Sequence, residues 1–181
     1  NAAISASEQG AKWLIALDLL GAMESRGVSA NVISYNSAIS ACEKAAEWAR
    51  ALDLLAEMEG RGLEPDVVSY GAAISACEKG AHWPAALALL GVMERRGVPS
   101  NEMCLNAGLS ALAAGAQWTR ALAMLRDARA RDIASTTTAN AALTALANAG
   151  QCDQAPGETA AKYSGRNNQK KKACERIHSK T

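Results

Sequence analysis

Asparagine recurs in this sequence where a helix has little use for it. Asn36 and Asn106 each lie four residues into an apolar stretch of helical period. Asparagine is a mediocre helix former, so its return at matched places points to a contact rather than to backbone preference. Its amide carries both an acceptor and donors, and the chemistry on offer is therefore hydrogen-bond exchange with a polar partner, not bond making. Asn31, Asp66 and Asn101 each stand just before such a stretch, where Asn and Asp are favoured helix caps. No nucleophile–base pair, phosphate loop or metal cluster accompanies them, so we expect no enzyme and no cofactor. The five cysteines show no CxxC or metal spacing and are expected as small buried thiols. His82 falls in a turn beside Trp83, where we expect a surface residue, and His178 lies near the end of the chain.

These residues are positioned by a repeat. Trp13, Trp48, Trp83 and Trp118 are 35 residues apart each time, as are Ala16, Ala51, Ala86 and Ala121. Gly27, Gly62 and Gly97 keep the same step. Within one unit, Tyr35, Ala38, Ile39 and Cys42 trace one face of a first helix, and Trp48, Ala51, Leu52, Leu55 and Met58 trace the buried stripe of a second. Gly62 can close that helix in a left-handed conformation, and Pro65 stops it. The frame gives units at 1–31, 32–66, 67–101 and 102–135, with a partial unit at 136–155. A single hairpin cannot bury both its faces, so stacked hairpins must share a continuous core and curve into a superhelix with a concave side. The fold class expected is an all-α, right-handed solenoid of two-helix repeats. Asn140 follows Asn106 by 34 residues, and Asp132 replaces the glycine of the other units. Looser packing is expected at that junction. The four Trp residues are expected in core or inter-repeat packing rather than as base-stacking platforms.

Charge is unevenly divided. Residues 156–181 carry seven Lys/Arg against two acids, a net +5, which leaves −4 for residues 1–155. The tail, with Lys170, Lys171 and Lys172 in a run, reads as a disordered, solvated segment. The acidic body argues against indiscriminate attraction to nucleic acid, which needs clustered positive charge. No stretch of 18 apolar residues exists, so no membrane span is expected. The pattern begins inside a unit at Asn1, so we expect a longer parent array, and no targeting segment is visible.

The stretch Val32-Ile-Ser-Tyr-Asn-Ser-Ala-Ile, continuing through Ala51-Leu-Asp-Leu-Leu-Ala-Glu-Met58 to Gly62-Leu-Glu-Pro-Asp66, resembles the pentatricopeptide repeat pattern. Val67-Val-Ser-Tyr-Gly-Ala-Ala-Ile and Met93-Glu-Arg-Arg-Gly97 resemble it again. Proteins of this kind read single-stranded RNA at one base per repeat through two or three side chains. The resemblance implies that first helices line the concave groove and that the fifth residue of each unit, counted from Val32, faces a base. The unit's last residue supports the choice, and the second residue wedges between neighbouring bases. Asn at the fifth place implies a pyrimidine, and Asp at the last place implies U.

Carried over, Asn1 with Asn31 implies a C-or-U reader and Asn36 with Asp66 a U reader. Gly71 with Asn101 departs from the pattern, because glycine has no side chain to donate or accept. Asn106 with Ser135, or with Thr136 if the 35-residue frame is kept, leans to C, and Asn140 is given no partner. Ile33, Val68 and Met103 fill the wedge place, and Lys44 and Lys79 are candidate phosphate contacts. The partner expected is single-stranded RNA in organellar (mitochondrial or chloroplast) RNA processing, stability or translation, with weak affinity for so few repeats. Protein partners remain open, and no membrane or small-molecule substrate is expected. The alternative is a protein-interaction scaffold like tetratricopeptide repeats, favoured by the acidic body and the Gly71 gap.

Overall fold

The computed structural model describes residues 13–148, and everything below refers to these. The chain outside them holds Asn1, the first helix expected in the first unit, Cys152, Cys174, His178 and the basic segment 156–181. Eight helices of 13 residues follow one another: α1 (Trp13–Ser25), α2 (Val32–Lys44), α3 (Trp48–Gly60), α4 (Val67–Lys79), α5 (Trp83–Arg95), α6 (Glu102–Ala114), α7 (Trp118–Ala130) and α8 (Thr136–Asn148). The described residues contain no strand. They form an all-α helical repeat solenoid. No helix among them is long and apolar enough to cross a membrane.

The even-numbered helices are the first helices of their hairpins, and each packs directly on the next. Odd-numbered helices wedge between their own first helix and the following one. The two kinds are buried very differently. In α2, Ser34, Tyr35, Ser37, Ala38, Ile39, Ala41 and Cys42 are all buried, which leaves little but the strip through Ile33, Asn36, Ser40 and Lys44 open. In α3 just Ala51, Leu54, Leu55 and Met58 are buried. Clefts lined by Leu17, Leu20, Arg50 and Asp53, and by Leu90, Glu94, Met124 and Asp127, separate successive second helices. Helices touching on one side and parted on the other must curve, so the first helices form the concave wall.

Three local devices set each hairpin. The first helices end in Schellman turns, in which Glu47 N donates to Cys42 O at 2.9 Å, His82 N to Cys77 O at 2.8 Å and Gln117 N to Leu112 O at 2.9 Å. The left-handed residue in each is alanine: Ala46, Ala81 and Ala116, at φ of 59°, 54° and 53°. Gly80 and Gly115 stand one place earlier for another reason. A Cβ on Gly80 would lie 2.3 Å from Trp48 Cδ1, and one on Gly115 2.2 Å from Trp83 Cδ1. The tryptophans therefore pack across the repeat boundary. His82 is half-buried and stacks on Trp48 with ring centroids 3.9 Å apart, which corrects the surface placement expected for it.

The second helices close through Gly27, Gly62, Gly97 and Asp132, all at positive φ. Asp132 tolerates this conformation better than most residues. The missing residue falls in the linker after it, and α8 still packs on α6 as closely as the other first helices pack on each other. Across the shortened linker, however, α7 packs on α8 less closely than α3 does on α4 or α5 on α6, so the looser junction expected from the sequence lies between the second helix and the first helix that follows it. The first-helix thiols are buried, and burial raises Cys42 and Cys77 to about 11 and raises Cys104 as well. Ion pairs recur at the repeat period on the second-helix side: Arg61 with Glu24, Arg96 with Glu59 at 2.9 Å, and Arg131 with Glu94. All are solvent-exposed and each is worth about 0–1 kcal/mol, so the apolar core dominates.

Relieving the strained alanine and crowding the adjacent glycine have opposite effects. Ala81→Gly is expected to raise stability by up to about 1 kcal/mol, since a left-handed alanine costs on that order. Gly80→Ala is expected to lower it by about 1–3 kcal/mol through overpacking against Trp48. Urea unfolding followed by circular dichroism measures both.

Candidate nucleic-acid interface

The open strip of the first helices forms a continuous face. Ile33, Val68 and Met103 lie on it with 60%, 61% and 66% of their surface exposed, among the most exposed large apolar side chains described. Exposed aliphatic groups repeating at the repeat period on a concave wall are unlike the scattered exposure of an ordinary surface. One helical turn on lie Asn36, Gly71, Asn106 and Asn140. An open depression on this face is lined solely by α4, α6 and α8, through residues that include Ser75, Glu78, Met103, Asn106, Ser110 and Thr137.

The capping residues of the first helices close the other side of the strip. Asn31 Oδ1 accepts from Ser34 N at 3.0 Å, Asp66 Oδ1 from Ser69 N at 2.9 Å, and Asn101 Oδ1 from Cys104 N at 2.9 Å. Ser135 Oγ accepts from Thr138 N at 3.2 Å, which makes Ser135 rather than Thr136 the equivalent residue. These four residues are caps, and capping alone would explain their types. Asp66 does more. Asn36 Nδ2 donates to Asp66 Oδ1 at 3.2 Å across the 30 residues separating them. Burial works to raise the Asp66 pKa, but hydrogen bonds from the Ser69 backbone and hydroxyl, from Asn36 and from Val68 outweigh it and hold the carboxyl below its ordinary 3.8.

The other fifth-place residues differ. Gly71 is buried, and a Cβ there would meet Cys104 Sγ at an ordinary 3.5 Å, so the backbone leaves room for a side chain. Asn106 turns along its own helix, with Nδ2 at a long 3.5 Å from Glu102 Oε1. Its Oδ1 is covered and has no hydrogen-bond partner; a ligand reaches that atom only once the side chain rotates. Asn140 is half-buried in α8. Lys79 is paired with Glu43 of α2 at 2.9 Å, and Lys44 is exposed at the end of the same helix. Glu78 and Glu102 line the depression, so carboxylates temper any cationic character of this wall. No group of three His, Cys, Asp or Glu is placed to hold a metal ion among the described residues.

The sequence profile of the PPR repeat family matches residues 30–79, and that of the PPR repeat matches residues 68–98. Residues 30–98 are pentatricopeptide repeats. Solved structures agree on the fold. The pentatricopeptide repeat protein PPR10 from maize superposes with a TM-score of 0.74 at 22% identity, covering 98% of this chain and 28% of that one. PPR10 in complex with an 18-nt psaJ RNA element gives 0.73 at 22% identity, over 98% and 27%. The PPR domain of Arabidopsis thaliana protein-only RNase P 1, in complex with tRNA, gives 0.78 at 14% identity, over 97% and 93%. The chain thus spans about a quarter of PPR10. No curated protein sequence matches it.

Sequence reasoning paired Asn36 with Asp66 on the strength of the resemblance, and the structure brings the two side chains into hydrogen-bond contact. It missed Ser69, whose hydroxyl lies 2.5 Å from Asn36 Oδ1. The signal was present in the spacing, since Ser34, Ser69 and Thr138 stand three residues beyond their caps.

The Asp66 network carries a pH signature. A carboxyl held low in the folded chain stabilises it above the unfolded pKa, and that contribution fades as pH falls through the folded value. An NMR titration of the Asp66 carboxyl is expected to give a midpoint below 3.8, rising in Asn36→Ala, which removes one donor. A midpoint unmoved by that substitution would show the Asn36 contact to be absent in solution.

Proposed function

We propose that this chain binds single-stranded RNA along its first-helix wall, one base per repeat, with a lean toward pyrimidines and with Asn36 and Asp66 reading U. The observation that carries the reading is the Asn36–Asp66 hydrogen bond at 3.2 Å, flanked by the exposed Ile33 and Val68. Packed helices lie about 8–10 Å apart, whereas stacked bases repeat at about 3.4 Å. Bases following the helices must therefore unstack. Aliphatic side chains at the second place of successive units would then fill the gaps between them. Asn36 retains one N–H and one lone pair after its contacts within the chain, enough for two hydrogen bonds to a base edge. PPR10 in complex with an 18-nt psaJ RNA element and the PPR domain of protein-only RNase P 1 in complex with tRNA share this fold, which supports RNA as the ligand.

In this proposal Asn1–Asn31 selects C or U, Asn36–Asp66 selects U, Gly71–Asn101 is permissive and Asn106–Ser135 leans to C, with RNA running 5′ to 3′ along the chain. The site belongs to organellar RNA metabolism. Lys44 is the candidate phosphate contact in the second unit, and Lys79 must leave Glu43 to act as one in the third. With Glu43, Glu78 and Glu102 on the same wall, binding is weak and depends little on salt, because few phosphates are neutralised. Those carboxylates also favour a second reading, a groove for a basic peptide.

Fluorescence titrations with short RNAs test the first reading. Affinity is expected to be highest for a pyrimidine, U, any base, then a pyrimidine. Asn36→Thr is expected to reduce the U preference at the second place by about fivefold, the worth of one net hydrogen bond. Equal affinity for every sequence, or binding of a basic peptide with none of RNA, overturns it.

A further inference from the structure

The site proposed to read U contains a third polar residue, and its geometry bears on how U is told from C. Asp66 Oδ1 receives Ser69 N at 2.9 Å, Ser69 Oγ at 3.0 Å and Asn36 Nδ2 at 3.2 Å. An ionised carboxylate accepts and does not donate, so the NH₂ end of Asn36 must face it. At the other end of the same amide, Asn36 Oδ1 lies 2.5 Å from Ser69 Oγ, which donates to it. The Ser69 hydroxyl has one proton and divides it between Asn36 and Asp66. In return it accepts from Asp66 N at 3.2 Å. The Asn36 amide is therefore held at both ends. Turning it by half a rotation would set its oxygen against the carboxylate and leave the Ser69 proton facing an NH₂ group.

Orientation matters because U and C present opposite orders. Across positions 4 and 3, uracil offers an acceptor and then a donor, whereas cytosine offers a donor and then an acceptor. For a base held in a fixed pose, an amide facing one way matches U, and the same amide turned over matches C. We infer that Ser69 is a positioning residue for base choice: its hydroxyl pins Asn36 Oδ1, so that the amide presents the order complementary to U. This rests on the RNA reading proposed above and adds to it a residue from the neighbouring repeat.

The other described units supply contrasts. Cys104 occupies the matching place beside Gly71, where there is no amide to hold. Thr138 Oγ1 is taken up with Ser135 Oγ at 3.1 Å, while Asn106 leans toward Glu102 and its Oδ1 stays unpaired. Among them, the Asn36 unit alone has both ends of its amide fixed.

The test compares the full chain with Ser69→Ala, Ser69→Cys and Ser69→Thr against two RNAs that differ solely by U or C at the second place. Ser69→Ala keeps the backbone N–H that caps α4 but removes the hydroxyl. The U-to-C affinity ratio is expected to fall about fivefold, with total affinity for the better RNA changed less. Ser69→Thr, which restores a hydroxyl, is expected to restore the ratio. Ser69→Cys, the residue found at 104, keeps the shape with a weaker donor and is expected to fall between, which preserves the test if Ser69→Ala folds poorly. A ratio unchanged in variants that still bind RNA overturns the role of Ser69 alone. Absence of RNA binding by the unsubstituted chain overturns the proposed function and this inference with it.

Discussion

The direct contact of each first helix with the next is the constraint on which the rest of this molecule depends. It is made possible by small side chains. Ala38, Ala41 and Cys42 in α2, with Ala73, Ala76 and Cys77 in α4, are fully buried and let neighbouring helices approach closely. Because the second helices pack into the gaps behind rather than on each other, the close contact bends the array toward the first-helix side. One strip of each first helix is left open, and the residues on it recur at a pitch set by helix packing. Any ligand that follows this wall must match that pitch or bridge it.

Economy of polar groups is the second feature of the wall. A first helix needs its leading N–H groups satisfied, and Asp66 does this for α4 through Ser69 N while accepting from Asn36 of its own repeat. One carboxylate thus ends one unit, begins the next helix and orients a side chain two helices earlier. This explains why capping and base selection need not be competing accounts of the same residue. Asn101, by contrast, caps α6 with no amide at position 71 to hold, and Ser135 caps α8 while Asn106 turns elsewhere.

Periodicity made the architecture legible, because the 35-residue recurrence of Trp48, Ala51 and Gly62 survives whatever varies around them. It could not reveal features that depend on contacts between repeats. The alanines at 46, 81 and 116 adopt the left-handed conformation normally left to glycine, while Gly80 and Gly115 serve the tryptophan behind them. A residue-type rule assigns these the other way round. The stacking of His82 on Trp48 and the ion pairs from Arg61, Arg96 and Arg131 also cross repeat boundaries. Their residue types and spacing were visible in the chain, but their partners were not. At the wall, the identity of Asn36 was readable from its recurrence and its orientation was not. That orientation depends on a carboxylate 30 residues away and a hydroxyl 33 residues away.

The proposed function requires that one wall, the open strip of the first helices, meet RNA. Titrating labelled protein with a short pyrimidine-rich RNA while following methyl and side-chain amide resonances by NMR tests it most directly. The methyls of Ile33, Val68 and Met103 and the Asn36 amide should shift together, while Leu54, Leu89 and Leu125 in the second helices stay in place. Shifts concentrated on the second helices, or none on the strip at saturating RNA, would contradict it.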